Sequence, residues 1–328
     1  MQHLVLTKYG DPAESVQLSD GPDPSPGPGD VVVRVEAAAI NPSDFLLVQG
    51  RYLVRPELPA PLGAEGVGIV EEAGGEVDHD LIGKRVILLP TFKFGSWSEK
   101  VVVAAQDVVV VAPDADPLQL AMLTINPVTA HLLLDRFGDL QVGDWVGQTA
   151  ANSAVGRLVI TLAKRRGLKT LSVVRREDTA EELRRAGADL VVLDGPELTA
   201  EVKRALDGRE LSLVLDALGG SQASGLIGAL KFGGAAVTYG SLIGPPDGVG
   251  YLDLIARHLS YTGFWLGNWY FRADRAEITE TLSYLARLVA EGELSVPVEA
   301  SYPLTDYLKA FEHASAPARG GKVVFSFG

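Results

Sequence analysis

The chain has 328 residues, and 29 basic against 42 acidic side chains give a formal net charge of −13. With 47% hydrophobic and 22% charged residues it has the balance of a folded protein of about two domains, and its charge, with a pI near 4.9, argues against nucleic acid as the main partner. Cysteine is absent, which excludes disulfides, zinc–thiolate sites, iron–sulfur clusters and a cysteine nucleophile.

The first residues, Met1 to Lys8, run straight into strand-like sequence without the basic and apolar regions of a secretion signal. No run approaches the roughly 18 apolar residues of a membrane span, so a cytoplasmic protein is expected. Up to residue 118 the chain reads as short strands between turns. Asp30–Glu36 alternates, with Val31, Val33 and Val35 on one face and Arg34 and Glu36 on the other. Similar pieces are Gly66–Glu71, Arg85–Leu89, Lys100–Val103 and Val108–Val111, separated by breakers such as the proline-rich 22–29 and Gly74-Gly75. This predicts a closed or nearly closed β structure.

After Pro117 strands alternate with helices: Trp145–Gln148 then Ala154–Arg166, Thr170–Val174 then Thr179–Ala186, Leu190–Leu193, Leu213–Leu215 then Ser221–Lys231, and Ala235–Tyr239. Val155, Leu158, Val159 and Leu162 form an i, i+3, i+4, i+7 stripe. Such alternation implies parallel βαβ units in a doubly wound sheet. A helical stretch, Ala273–Glu291, then leads to Ser301–Phe327, which reads as β again.

The first strand–turn–helix, Trp145 to Gly156, reads as Ala151-x-Ser153-x-x-Gly156 against G-x-G-x-x-G. Two glycines are replaced by small residues, so the preceding strand and the following amphipathic helix carry the case. They would present free N–H groups and a positive helix end to a pyrophosphate. The plainer alternative is a tight βα turn without a ligand. About twenty residues past the third glycine an acidic side chain commonly meets the ribose of NAD, but here the strand ends Val174-Arg175-Arg176. Guanidinium groups there favour a 2′-phosphate, hence NADPH; otherwise they are a solvated strand end. Asp178 and Glu181 have capping-box spacing.

Five histidines occur, His3, His79, His131, His258 and His313, most of them expected at the surface. No H-x-x-x-H, G-x-S-x-G or P-loop sequence appears, so a metal hydrolase or nucleophile-elbow hydrolase has no support and no metal site is expected.

A β-rich domain leading into a dinucleotide domain resembles the medium-chain dehydrogenase/reductase superfamily. Where zinc-containing alcohol dehydrogenases of that superfamily have Gly-His-Glu, this chain has Gly63-Ala64-Glu65, so it resembles the zinc-free members. Among these it is most similar to mitochondrial-type 2-enoyl thioester reductases. The shared stretches are Asn41-Pro42-Ser43-Asp44, Gln49-Gly50-Arg51-Tyr52, Pro56–Pro59, Asn126–Ala130, Asn152–Gly156, Val173–Arg175, Thr238–Gly240 and Gly263–Leu266. The likeness spans Asn41 to Lys322, and quinone reductases share much of it.

The resemblance implies an α/β protein: a GroES-like β-rich catalytic domain (1–125 and 270–328) and a doubly wound, parallel-sheet Rossmann domain (126–269). It implies that Tyr52 is the catalytic proton donor. Asn126, Asn152, Ser153, Ala154 and Val155 would contact NADPH, with Arg175 and Arg176 at the adenosine phosphate. Tyr239, Gly240, Ser241 and Leu242, then Phe264, Trp265, Leu266 and Gly267, and finally Lys322, complete the cofactor contacts. The departures are Ala154 for a glycine and Glu177 for a basic residue. Trp265 and Trp269 read equally as core or dimer-face aromatics and as substrate walls, and Tyr52 alone would read as a packed loop aromatic.

The implied activity is NADPH-dependent reduction of 2-enoyl thioesters on CoA or acyl carrier protein. Hydride addition to the β carbon leaves enolate charge that, without zinc, hydrogen-bond donors must stabilise and an acid must quench. Reduction of quinones or other α,β-unsaturated carbonyls is the alternative enzyme reading. A non-catalytic NADPH-binding protein is the alternative from another class. The resemblance further implies a homodimer formed by strand pairing near Ser260–Phe264.

Overall fold

A computed structural model describes all residues except Phe94, Ser241, Leu242, 245–249 and Ala318. Two units result: Met1–Val128 with Gly267–Gly328, and Thr129–Leu266. The first begins with β1 (Gln2–Leu6), α1 (Pro12–Ser15), β2 (Val16–Asp20), β3 (Asp30–Ala39), α2 (Pro42–Val48), β4 (Ala60–Pro61), β5 (Gly66–Ala73), β6 (Arg85–Leu88), β7 (Lys100–Ala104), β8 (Val108–Val110) and α3 (Pro117–Leu120). After α4 (Asn126–Arg136), which straddles the division, come β9 (Trp145–Gln148), α5 (Ala154–Arg165), β10 (Lys169–Val174), α6 (Glu177–Arg185), β11 (Leu190–Leu193) and α7 (Leu198–Leu206). The second unit continues with β12 (Leu211–Asp216), α8 (Gly220–Ile227), β13 (Leu230–Thr238), α9 (Tyr251–Ala256) and β14 (Ser260–Gly263). The chain returns through α10 (Leu266–Arg272), α11 (Arg275–Ala290), β15 (Val298–Tyr302), α12 (Tyr307–Ser315) and β16 (Lys322–Ser326).

In the first unit, β15-β16-β3-β5-β6-β8 form a sheet with β7 added on β3, and β2-β1-β4 form a smaller one. The alternation in β3 is real: Val31, Val33 and Val35 are fully buried. Arg34 reaches Glu71 at 2.9 Å, and Glu36 accepts from Arg85 at 2.8 and 3.1 Å. Trp97 is fully buried, its ring 5.3 Å from Phe311 and 5.5 Å from Phe325, its N–H donated to the Ala39 carbonyl at 3.0 Å. Phe311 lies on α12, which corrects the expectation that Ser301–Phe327 is β throughout. Leu304, Ala310, Phe311 and Ala314 are buried at helical rather than alternating spacing.

The second unit holds one sheet in the order β11-β10-β9-β12-β13-β14, and every pairing is parallel. Counting its strands from β9 gives 3-2-1-4-5-6, the doubly wound order in which ligands bind where the winding reverses, at the carboxyl ends of the first and fourth strands. All six residues of β12 are buried, as befits a strand covered on both faces. The α5 stripe is buried as expected, at Val155, Leu158, Val159 and Leu162. The helix expected over Ser221–Lys231 ends at Ile227, because Leu230 and Lys231 already belong to β13. No helix among the described residues is long and apolar enough to cross a membrane.

Candidate active site

In the second unit the reversal of winding lies between β9 and β12, and their ends are tied together. Thr149 donates its hydroxyl to Asp216 at 2.8 Å and accepts from the Ala217 N–H at 2.9 Å. The chain then turns at Ala150, whose φ of 47° lies in the left-handed region, and Ser153 caps α5 by accepting the Gly156 N–H at 3.1 Å. A Cβ on Gly156 would lie 2.5 Å from the Ala151 carbonyl oxygen, so only glycine lets the helix start this close to the turn. The first helical turn thus presents N–H groups that lack intrahelical acceptors. Nearby, a Cβ on Gly240 would lie 2.7 Å from the Ala217 oxygen. Among the described residues the buried Tyr239 hydroxyl meets no partner at full hydrogen-bond geometry; burial and the Asp216 charge hold it above the usual phenol range, and the Ser153 side chain opposes them. A backbone cradle closed to side chains, beside a buried hydroxyl, fits a phosphate-bearing ligand.

The two arginines after β10 differ. Both are exposed, but Arg176 is held by Asp178 and by the Thr179 hydroxyl, each at 3.2 Å. Among the described residues Arg175 has no hydrogen bond or ion pair, which leaves its guanidinium available to an anion. Glu177 is engaged by Arg184 at 2.7 Å. The expected capping box does not form: the residue preceding α6 is Arg176, and Asp178, already inside the first turn, accepts from the Thr179 N–H at 2.6 Å.

Asn152 is exposed, while Ser153 and Ala154 are partly buried and Val155 is buried around the turn. Phe264 continues from β14, its N–H donated to Thr238 at 2.8 Å and its ring 6.0 Å from Phe137. Trp265 and Leu266 are partly buried and Gly267 is buried. Ser241 and Leu242 lie outside the described residues. Trp269 is a core residue of the first unit, donating its N–H to Glu277 at 2.7 Å. Of the histidines, His79 and His258 are exposed and the other three are partly buried.

In the first unit, the chain leaves α2 through Gly50, whose φ of 68° and 3.2 Å clearance from the Tyr9 ring require glycine. This reversal sends the chain to Tyr52, which is partly buried, its ring 6.1 Å from Phe92. Phe92 lines a small pocket, partly open to solvent, with Asp44, Leu47, Pro56, Pro61, Leu62, Gly63 and Ala64. The walls are apolar except for one carboxyl.

Behind that pocket lies a buried polar cluster that the sequence did not single out. Glu65 is fully buried and accepts three bonds: from Asn41 Nδ2 at 2.7 Å, the Ile125 N–H at 2.9 Å and the Thr124 hydroxyl at 3.2 Å. Asn41 Oδ1 accepts from Lys322 Nζ at 2.6 Å and Asn126 Nδ2 at 3.1 Å. Lys322 also donates to the Ile40 carbonyl at 2.7 Å, and Asp44 accepts the Asn41 N–H at 2.7 Å. Burial pushes Asp44 up to about 7 and Lys322 down to about 8, each opposed by the other's charge, and it raises Glu65 as well. Two sequence-nominated residues, Asn126 and Lys322, are brought together here through Asn41.

A profile of the alcohol dehydrogenase GroES-like domain matches residues 27–114, and one described as zinc-binding dehydrogenase matches residues 186–325. The chain is 35% identical to the mitochondrial enoyl-[acyl-carrier-protein] reductase of Xenopus tropicalis, covering 96% of this chain and 92% of that one. It is 34% identical to the human protein of the same name, covering 98% and 88%. Among solved structures, an Escherichia coli quinone oxidoreductase complexed with NADPH superposes at a TM-score of 0.89, with 26% identity and full coverage of both chains. The chain belongs to the medium-chain dehydrogenase/reductase family, among its zinc-free members. It is an oxidoreductase with a GroES-like and a Rossmann-like part, related both to enoyl reductases and to quinone oxidoreductases.

Proposed function

We propose that this oxidoreductase uses NADPH to reduce the C=C bond of 2-enoyl thioesters carried on coenzyme A or acyl carrier protein. The observation that carries the reading is Tyr52, a phenol on the turn leaving α2, its ring 6.1 Å from a residue of an apolar pocket. Its setting is a chain about one-third identical to enoyl-[acyl-carrier-protein] reductases over nearly its whole length.

NADPH, when bound, supplies the hydride that adds to the β carbon of the enoyl thioester. Asn152 and Ser153 in the turn, with Ala154 and Val155 in the first turn of α5, hold the pyrophosphate by backbone N–H groups. Arg175 pairs with the 2′-phosphate, with Arg176 beside it. Tyr239, Gly240, Phe264, Trp265, Leu266 and Gly267 wall the cofactor, and Asn126 and Lys322 bond its polar groups. As the C=C electron pair moves onto the thioester carbonyl, Tyr52 delivers its phenolic proton to the α carbon and recovers one from water. The products are the saturated thioester and the oxidised nicotinamide.

Quinone reduction on the same scaffold is the second reading, favoured by the likeness to the Escherichia coli enzyme. A second copy of the chain is the proposed partner at β14. That edge strand is exposed at all four residues, and α9 beside it in sequence exposes Tyr251, Leu252 and Ile255; such an edge invites pairing.

The test is NADPH oxidation against crotonyl-CoA, longer 2-enoyl-CoAs and a quinone panel in parallel. Faster turnover of the enoyl thioesters is expected. Turnover of quinones alone would replace this reading by the second, and NADPH binding without turnover of any acceptor would leave only a binding protein.

A further inference from the structure

The Asn41 side chain sits where the identity of every neighbour dictates which way its amide faces. Glu65, as an anion, can only accept, and its Oε1 lies 2.7 Å from Asn41 Nδ2. The Lys322 ammonium can only donate, and it lies 2.6 Å from Asn41 Oδ1. The amide therefore has an acceptor at one end and a donor at the other, and turning it over would set N–H against ammonium and oxygen against carboxylate. That orientation is passed on. Asn41 Oδ1 also takes the Asn126 Nδ2 group at 3.1 Å, which obliges Asn126 to present its nitrogen to Asn41 and leaves its own carbonyl oxygen as an acceptor. Asn126 is 8% exposed, so the orientation of this one group is set from within.

We propose that Glu65 and Asn41 are positioning residues for the cofactor: the buried carboxylate orients the Asn41 amide, which in turn orients Asn126 and Lys322 as an acceptor and a donor for the nicotinamide half. This rests on the reading of Asn126 and Lys322 as cofactor contacts. The adenosine half is assigned to the turn before α5 and to Arg175, so the half these two residues meet is the one that those groups do not hold. Neither Glu65 nor Asn41 touches the cofactor on this account.

Glutamine at position 65 tests the relay with little change of shape. Its single oxygen can serve Thr124 and Ile125 only by turning its NH2 toward Asn41. Asn41 must then reverse and face the Lys322 ammonium with its own NH2. Calorimetric titration of the wild type, Glu65→Gln, Asn126→Ala and the double variant should use NADPH and, as a ligand lacking the nicotinamide half, 2′,5′-ADP. Glu65→Gln is expected to weaken NADPH about tenfold, the scale of one or two hydrogen bonds, and to leave 2′,5′-ADP within about twofold. In the Asn126→Ala background its further effect should be smaller than in the wild type, because part of it acts through Asn126 and the remainder through Lys322.

Equal weakening of both ligands, or full additivity in the double variant, would overturn the proposal. Should Glu65→Gln not melt cooperatively, Asn126→Ala carries the test, since it leaves the three bonds of Glu65 intact; unchanged NADPH affinity there would also overturn it. A wild type that binds 2′,5′-ADP but not NADPH would overturn the relay alone, whereas one that binds neither would overturn the cofactor reading itself.

Discussion

The two units ready polar groups for a ligand by opposite means. The second does it with backbone: a turn at Ala150, a helix start at Ala154 and two glycines that keep side chains out, followed by two exposed arginines after β10. The first does it with buried side chains, an anion, a cation and two amides whose hydrogen bonds close on one another. Backbone donors are cheap to ready because their direction follows from secondary structure. Buried charges demand full satisfaction, since each unpaired group costs far more than a bond contributes. A fault in the first unit should therefore cost more stability than a fault in the second.

The largest effect expected is catalytic. Tyr52→Phe keeps the ring and removes the acid, so enoyl thioester reduction should fall by about 10²–10⁴-fold, while quinone reduction, whose oxygen can take a proton from water, survives far better. Steady-state kinetics on both substrates check this; an undiminished enoyl rate would make Tyr52 structural. Next comes Glu65→Ala. It strips three donors of their acceptor and leaves Lys322 with less opposing charge, so urea unfolding should show a loss of about 3–5 kcal/mol. A loss under about 1 kcal/mol would break the contrast between the units.

In the second unit Gly156→Ala forces the helix away from Ala151, with an expected cost of about 1–3 kcal/mol and weaker NADPH binding; unchanged melting and affinity would show that the close approach is dispensable. Arg175→Ala should weaken NADPH about tenfold, the scale of a charge-assisted hydrogen bond, and spare NADH. Arg176, already held by Asp178 and Thr179, should matter less.

The last effect is a dependence of stability on pH. Asp44 titrates near 7 when folded against 3.8 when exposed, so the folded state binds its proton more tightly. The stability it contributes is full below pH 3.8 and is lost as pH rises to about 7. Lys322, lowered to about 8 from 10.5, acts in a separate window, its burial penalty released as pH rises between those values. Melting temperatures of the wild type and Asp44→Asn should therefore diverge in the variant's favour across the lower window. A constant difference would contradict the burial of that charge.

What could be read from the sequence was local. The α5 stripe, the small-residue turn before it and the paired arginines after β10 lie within short spans, so their spacing reveals them. Strand–helix alternation likewise predicted a doubly wound sheet. The Glu65 cluster could not be read this way, because its partners lie 24, 59 and 60 positions from Glu65, and Lys322 lies 281 from Asn41. Nothing in the surroundings of Glu65 in sequence marks it as buried. The missed α12 shows a different limit, since Val323, Val324 and Phe325 next to it are strand residues and its own apolar positions are few. Asp178 and Glu181 show the reverse error: the pattern was present, but the helix begins earlier and takes Asp178 into its first turn.

In the proposed reaction hydride goes to the β carbon and a proton, delivered by Tyr52, to the α carbon. Turnover of crotonyl-CoA with NADPH carrying deuterium at the transferred position, and separately in deuterated water, tests it through the product. Butyryl-CoA with the cofactor's deuterium at C3 and the solvent's at C2 is expected. NADPH consumed with quinones while crotonyl-CoA is recovered unreduced would contradict it.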